Sequence, residues 1–180
     1  YLGLAGALVG AGPGRAARQP VNFFTGFSRV AAGRWTDGRE SLEEAVALAH
    51  LVGDKRRWIE AVCGLSTLMH YQGRYRERVR MGAEVLYTSA RRQGDLQAEA
   101  WGLLDQLESV LPLQDHPRAT ELMEAVRPFL DQDIGRSEQV WGWGLLAAGL
   151  LKSGRPREAW DAALRANTAS VAMAPVAVYT

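Results

Sequence analysis

The sequence predicts an all-α fold, an α-solenoid of antiparallel helix pairs with about 40 residues in each repeat. Three observations carry this expectation: turn positions recur at an even step, the stretches between them hold apolar residues at helical spacing, and strand signals are missing. The turns Gly33-Arg34-Trp35, Gly73-Arg74-Tyr75, Gln114-Asp115-His116 and Gly154-Arg155-Pro156 follow one another at a step that varies by a single position. A second set falls between them at Gly53-Asp54, Gly94-Asp95 and, less regularly, Asp133-Ile134-Gly135, while the run Gly10 to Gly14 takes the same place one step earlier. Val, Ile and Thr are scattered, and no Asn-Gly hairpin signal occurs.

Helices are expected at 1–10, 18–32, 36–52, 55–72, 76–92, 96–112, 117–132, 137–152 and 156–170. The first is uncharged and closes in the glycine-rich run, and the second fills the span before Gly33. Residues 36–52 carry Leu42, Ala45, Val46, Ala49 and Val52 on a helical period. Asp54 and Asp95 each follow a glycine and precede an apolar run, so they read as N-caps of the helices at 55 and 96. Pro117 and Pro156 suit first-turn positions, and Ser137 followed by Glu138 marks another start. Pro128 should kink or end its helix early. A lone pair of such helices cannot cover its apolar face, so successive pairs must stack. The repeats are then 1–14 (partial), 15–54, 55–95, 96–135 and 136–175 of a single helical-repeat domain. The pattern is still open at Tyr1 and Thr180, so a longer array is expected.

Composition narrows the class of function. With 47% hydrophobic and 23% charged residues and a net charge of +1, bulk charge dictates no partner. Cys63 is the only cysteine, which rules out an intramolecular disulfide and points to a reducing, cytoplasmic setting. Residues 1–14 are uncharged but lack a starting Met and a basic leader, so they do not read as a signal peptide. The apolar run Val140 to Leu151 falls well short of the roughly 20 residues a membrane helix needs.

No constellation for catalysis is visible, and the chain is not expected to be an enzyme. Gly10-Ala11-Gly12-Pro13-Gly14 lacks both the dinucleotide fingerprint and a Gly-Lys-Ser/Thr ending. His50, His70 and His116 are far apart in the chain, with no second ligand at metal spacing. Glu43-Glu44 and the pair Asp131 and Asp133 read as solvated helix faces and ends. No catalytic residue, metal ligand or cofactor is expected. The stretch Arg74 to Arg92 holds six arginines against two glutamates, and Asp95 to Asp133 holds nine acidic residues against two arginines. The arginines at 74, 76, 78 and 80 are spread around the helix, which suits a solvated face or a strip for an acidic neighbour better than nucleic acid.

The repeats are similar to the tetratricopeptide pattern, which is right-handed, although that repeat usually has about 34 residues. A turn glycine is followed there at +2 by an aromatic, at +5 by a small residue, at +9 by a larger apolar one and at +12 by alanine. Gly33, Trp35, Gly38, Leu42 and Ala45 match it, as do Gly154, Ala159, Ala163 and Ala166 with Pro156 in the aromatic slot. The repeat after Gly73 departs from it, with Arg78 and Gly82 in the small and large positions. Trp101 and Trp141 share a phase one repeat apart, with Trp58 two positions earlier in the preceding repeat. Core packing is the bland reading of these indoles. By analogy with solenoids whose first helices line a concave face, Cys63, Thr67, His70, Trp101, Leu104, Glu108 and Trp141 would face a groove able to hold a peptide or a small ligand.

Several strings carry a more specific likeness: Gly53-Asp54-Lys55-Arg56-Arg57-Trp58, His70-Tyr71-Gln72-Gly73, Ala90-Arg91-Arg92-Gln93-Gly94-Asp95, Ala100-Trp101-Gly102-Leu103 and the closing Pro175 to Thr180. From about Gly33 onward the chain resembles the C-terminal helical-repeat region of bacterial multidomain proteins that join a class III adenylate/guanylate cyclase to an AAA-type ATPase. The resemblance implies a sensor or docking platform for those modules, whose own metal-binding and phosphate-loop residues are absent here. The expected function is a protein-interaction or regulatory scaffold, with a protein or peptide partner, the cyclase or ATPase domains themselves among the candidates, and room for a small ligand. The alternative is the ligand-sensing repeat domain of an ATP-dependent transcriptional activator.

Overall fold

The computed structural model describes residues 14–172. The helix expected at 1–10 and the closing string Pro175 to Thr180 lie outside the described residues. Those described are all-helical, without a strand. The elements are α1 (Gly14–Ala31), α2 (Trp35–Val52), α3 (Lys55–Tyr71), α4 (Tyr75–Arg80), a π-helical segment (Met81–Tyr87), α5 (Thr88–Gln93), α6 (Leu96–Leu113), α7 (His116–Leu130), α8 (Arg136–Lys152) and α9 (Pro156–Val171).

Local chemistry sets the boundaries. Gly53 takes the left-handed conformation (φ 71°) and its N–H donates to the carbonyls of Ala49 and His50, ending α2. Asp54 then accepts from the Arg57 N–H and opens α3. Asp95 and Asp115 do the same through the N–H groups of Ala98 and Arg118. A left-handed residue costs a Cβ-bearing side chain about 1–2 kcal/mol, yet the turn at 114 is made by Gln114 at φ 58°. Pro128 lies in the last turn of α7, which stops at Leu130, short of the expected end at 132.

The chain divides into two compact units with the boundary between Gln72 and Gly73. This boundary cuts the repeat expected at 55–95, leaving α3 in the first unit and α4 in the second.

In the first unit α1 and α2 form an antiparallel hairpin. A Cβ on Gly26 would meet Leu42, while Val30, one helical turn on, faces Gly38, one turn back. The small residue at 38 is therefore what allows the two backbones to close. Leu42, Ala45, Leu48 and Ala49 bury one face of α2, Ile59, Leu65 and Leu68 are buried on α3, and Gly64 of α3 lies against Leu42. Helix α3 lies parallel to α1, since the Gln19 amide donates to the Arg57 carbonyl and Gly64 faces Phe23.

The second unit is built around α6. The run α4–π–α5 crosses it antiparallel through Gly82 and Gly102, where a Cβ on Gly102 would stand 2.5 Å from the Tyr87 nitrogen. Helix α8 lies parallel to α6, with Gly142 against Leu104 and Gly149 against Leu111, the same offset in both contacts and close to one repeat. Leu107, Leu122, Met123, Val126, Leu130 and Leu146 complete a core shared by α6, α7 and α8, which α9 closes with Ala159 and Ala162. Helix α6 is buried nearly all round, and its buried residues include the polar Asp105, Gln106 and Ser109.

Candidate functional site

The seven residues expected on one groove fall into two sets, one in each unit. In the first unit Cys63, Thr67 and His70 are half-buried along α3. The Thr67 hydroxyl is spent on its own helix, donating to the Cys63 carbonyl at 3.0 Å, and the His70 ring stands edge-on to Tyr71.

In the second unit the structure brings Trp101, Glu108 and Trp141 together along the seam between α6 and α8. Trp101 Nε1 donates to Glu138 Oε1 at 3.1 Å, and Trp141 Nε1 donates to Glu108 Oε1 at 3.3 Å. Positions seven apart on α6 and three apart on α8 lie on one side of each helix, so the two crossed bonds tie the helices along a single edge. Both indoles are half-buried, their N–H groups fixed and part of each ring open to solvent. Leu104 lies in the same phase but is fully buried against Gly142, so it serves packing and does not reach an open face. The physical reason is the close stacking of α8, which covers the stripe that the spacing alone would leave open.

Beneath this edge lies a charge network that sequence reasoning did not assemble. Arg78 of α4 is 2% exposed, and its Nη2 lies 2.6 Å from Asp105 Oδ1, which is equally buried. Its Nη1 donates to Glu108 Oε2 at 2.6 Å and, more weakly, to the Ser109 hydroxyl at 3.4 Å. Glu108 thus accepts from Arg78 with one oxygen and from Trp141 with the other, linking α4, α6 and α8. Of the arginine-rich segment, Arg78 has its acidic partners on the chain's own α6, while Arg74 pairs with Glu77 on its own helix. The available signal was the mismatch at Arg78, a long charged residue in a slot that Gly38 and Ala159 fill with small ones.

The same helix widens into the π segment directly after Arg80, and the Thr88 hydroxyl donates to the carbonyl of Ala83. A π turn takes up one more residue than an α turn, in keeping with a step from Gly73 to Gln114 that is one position longer than the step from Gly33 to Gly73. Such turns are rare and gather at functional positions.

Chemically, the seam offers two anchored aromatic rings over a partly exposed carboxylate, Glu108, that shares one buried guanidinium with Asp105. That arrangement can bind. Among the described residues no group of three or more His, Cys, Asp or Glu is placed to hold a metal ion. No helix among the described residues is long and apolar enough to cross a membrane. Compared with protein-family models and with curated proteins, the chain matches none.

Proposed function

We propose that this chain is a segment of a right-handed, tetratricopeptide-like α-solenoid that acts in the cytoplasm as an interaction and regulatory module of a multidomain signalling ATPase or nucleotide cyclase. The single observation that carries this reading is the parallel stacking of α8 on α6 at a constant offset close to one repeat, which is the translation a solenoid repeats. The parallel placement of α3 beside α1 supports it within the first unit. The stacking leaves Trp101 and Trp141, one repeat apart, half-exposed on one edge with their indole N–H groups fixed. Rigid aromatic anchors with a carboxylate between them lose little freedom on binding, which favours a peptide or protein segment as the partner. The likeness of the Gly-Asp and Trp strings to cyclase-linked repeat regions directs the search to those modules.

The test has two steps. The coding sequence on either side of the chain is read, and the adjoining ATPase or cyclase module is purified and titrated into the chain while tryptophan fluorescence is followed. A saturable change that Trp101→Phe or Trp141→Phe diminishes is the expected result. Flanking sequence that encodes neither module, or a titration without binding, would overturn the reading.

A further inference from the structure

The charges along the α6–α8 edge do not cancel. Asp105 and Glu108 share the one guanidinium of Arg78, each at 2.6 Å. Glu138 adds a third carboxylate, whose oxygens accept from Trp101 Nε1 at 3.1 Å and from the Ser137 hydroxyl at 2.6 Å. Neither of those donors is a cation. The surplus negative charge therefore lies at the water side of the seam, where the Glu108 side chain is 25% exposed and Glu138 is half-buried. The half-buried indoles beside them add to it, because the face of an aromatic ring is itself negative.

The register gathers these groups. Glu138 and Trp141 are three apart on α8 and so are neighbours on its surface. Glu138 is bonded to Trp101 and Gly142 lies against Leu104, so Trp141 stands within about one helical turn, roughly 5 Å, of Trp101 along the seam. An anionic segment would meet like charge here, since the guanidinium of Arg78 is buried and engaged. An aliphatic side chain would find the stripe closed where Leu104 is buried, and would strip water from carboxylates without replacing it. A cation gains from both kinds of group, through attraction to the ring face and charge-assisted hydrogen bonds to a carboxylate. Arginine suits the edge better than lysine, because its planar guanidinium stacks on an indole while its rim donates, and because it is more weakly hydrated.

We propose that the α6–α8 edge recognises arginine in a partner segment, with the guanidinium stacked on Trp141 and donating to Glu138. This rests on the reading of that edge as the partner-binding face and adds the chemistry of what it binds. The edge is open to water, so the contact is modest in strength and weakens as salt rises.

The test is calorimetric titration of the whole chain at low salt with a blocked Gly-Arg-Gly-Arg-Gly peptide. Beside it stand the same peptide with citrulline for arginine, which keeps the planar shape and lacks the charge, and the same peptide with glutamate. Saturable binding of the arginine peptide is expected, about tenfold or more tighter than the citrulline peptide, with no binding of the glutamate peptide. Glu138→Gln keeps an oxygen for the Trp101 N–H and should weaken the arginine peptide about fivefold, as should Trp141→Leu. Glu40→Gln, an exposed position of the first unit that changes net charge equally, should leave it unchanged. Glu138→Gln decides the matter even if Trp141→Leu does not fold. The proposal is overturned if the arginine peptide does not saturate the chain, if the citrulline peptide binds as tightly, or if Glu138→Gln weakens binding no more than Glu40→Gln. An adjoining module that binds the chain while the arginine peptide does not would overturn this assignment and leave the interaction reading standing; the reverse result would leave the arginine site and remove the attached module.

Discussion

Arg78 and Asp105 face each other across the α4–α6 contact at 2.6 Å, each only 2% exposed. Taking such charges out of water is expensive, and the pair holds because Glu108 and Ser109 add further acceptors. Removing one member should therefore harm more than the pair itself stabilises. Arg78→Met leaves Asp105 buried without its cation and is expected to cost about 3–5 kcal/mol. Arg78→Met combined with Asp105→Leu should recover much of that loss, because apolar groups of similar size replace buried ions at little net cost. Urea denaturation of the two variants, compared at equal slope, checks both statements.

Among the described glycines of the second unit, Gly102 permits the tightest approach of backbone. Its missing side chain leaves room for the backbone of Tyr87 in the π segment, whose Cα would stand 2.8 Å from an added Cβ. Backbone cannot swing aside as a flexible side chain can. Gly102→Ala is thus expected to destabilise by about 1–3 kcal/mol and to raise hydrogen exchange at Met81 to Tyr87 before that of α8. Equal protection in both variants would show that the contact is slack.

At the turn between α6 and α7, Gln114 holds φ at 58° where the other repeats place glycine. Gln114→Gly removes the left-handed strain but loosens the unfolded chain, so the net gain should be about 0.5–1 kcal/mol. A thermal melt that rises by a few degrees fits this expectation, and an unchanged or lower midpoint refutes it.

Much of this architecture could be read from the residues, because its signals are local. Asp54, Asp95 and Asp115 cap helices through N–H groups in the first turn, and a glycine or Gln114 stops the helix before each. What could not be read depends on partners distant in sequence. Gly82 and Gly102 look unremarkable apart, and only the antiparallel register of α4–π–α5 against α6 makes them a crossing point. Leu104 shares the spacing of Trp101 and Glu108, but α8 lies close enough to bury it. Trp101 and Trp141 fall in the same phase as expected, yet their fixing by Glu138 and Glu108 required the offset between α6 and α8.

Helix α9 begins with a charged clasp in which Arg155 holds the Glu158 carboxyl below its usual range, chiefly through their hydrogen bond. A carboxylate whose folded pKa is depressed adds stability above its unfolded pKa, here near the ordinary 4.5, and that contribution fades as the pH falls through the lowered folded value. Both side chains are substantially solvated, so the effect is small and screened by salt. Amide exchange in the first turn of α9 should therefore be faster in Glu158→Gln than in the parent at neutral pH and low salt. The difference should shrink once the pH drops below the usual carboxylate range, and it should also shrink in concentrated salt. An equal exchange rate at neutral pH would mean that Pro156 and the packing of Ala159 hold this turn without help from the ion pair.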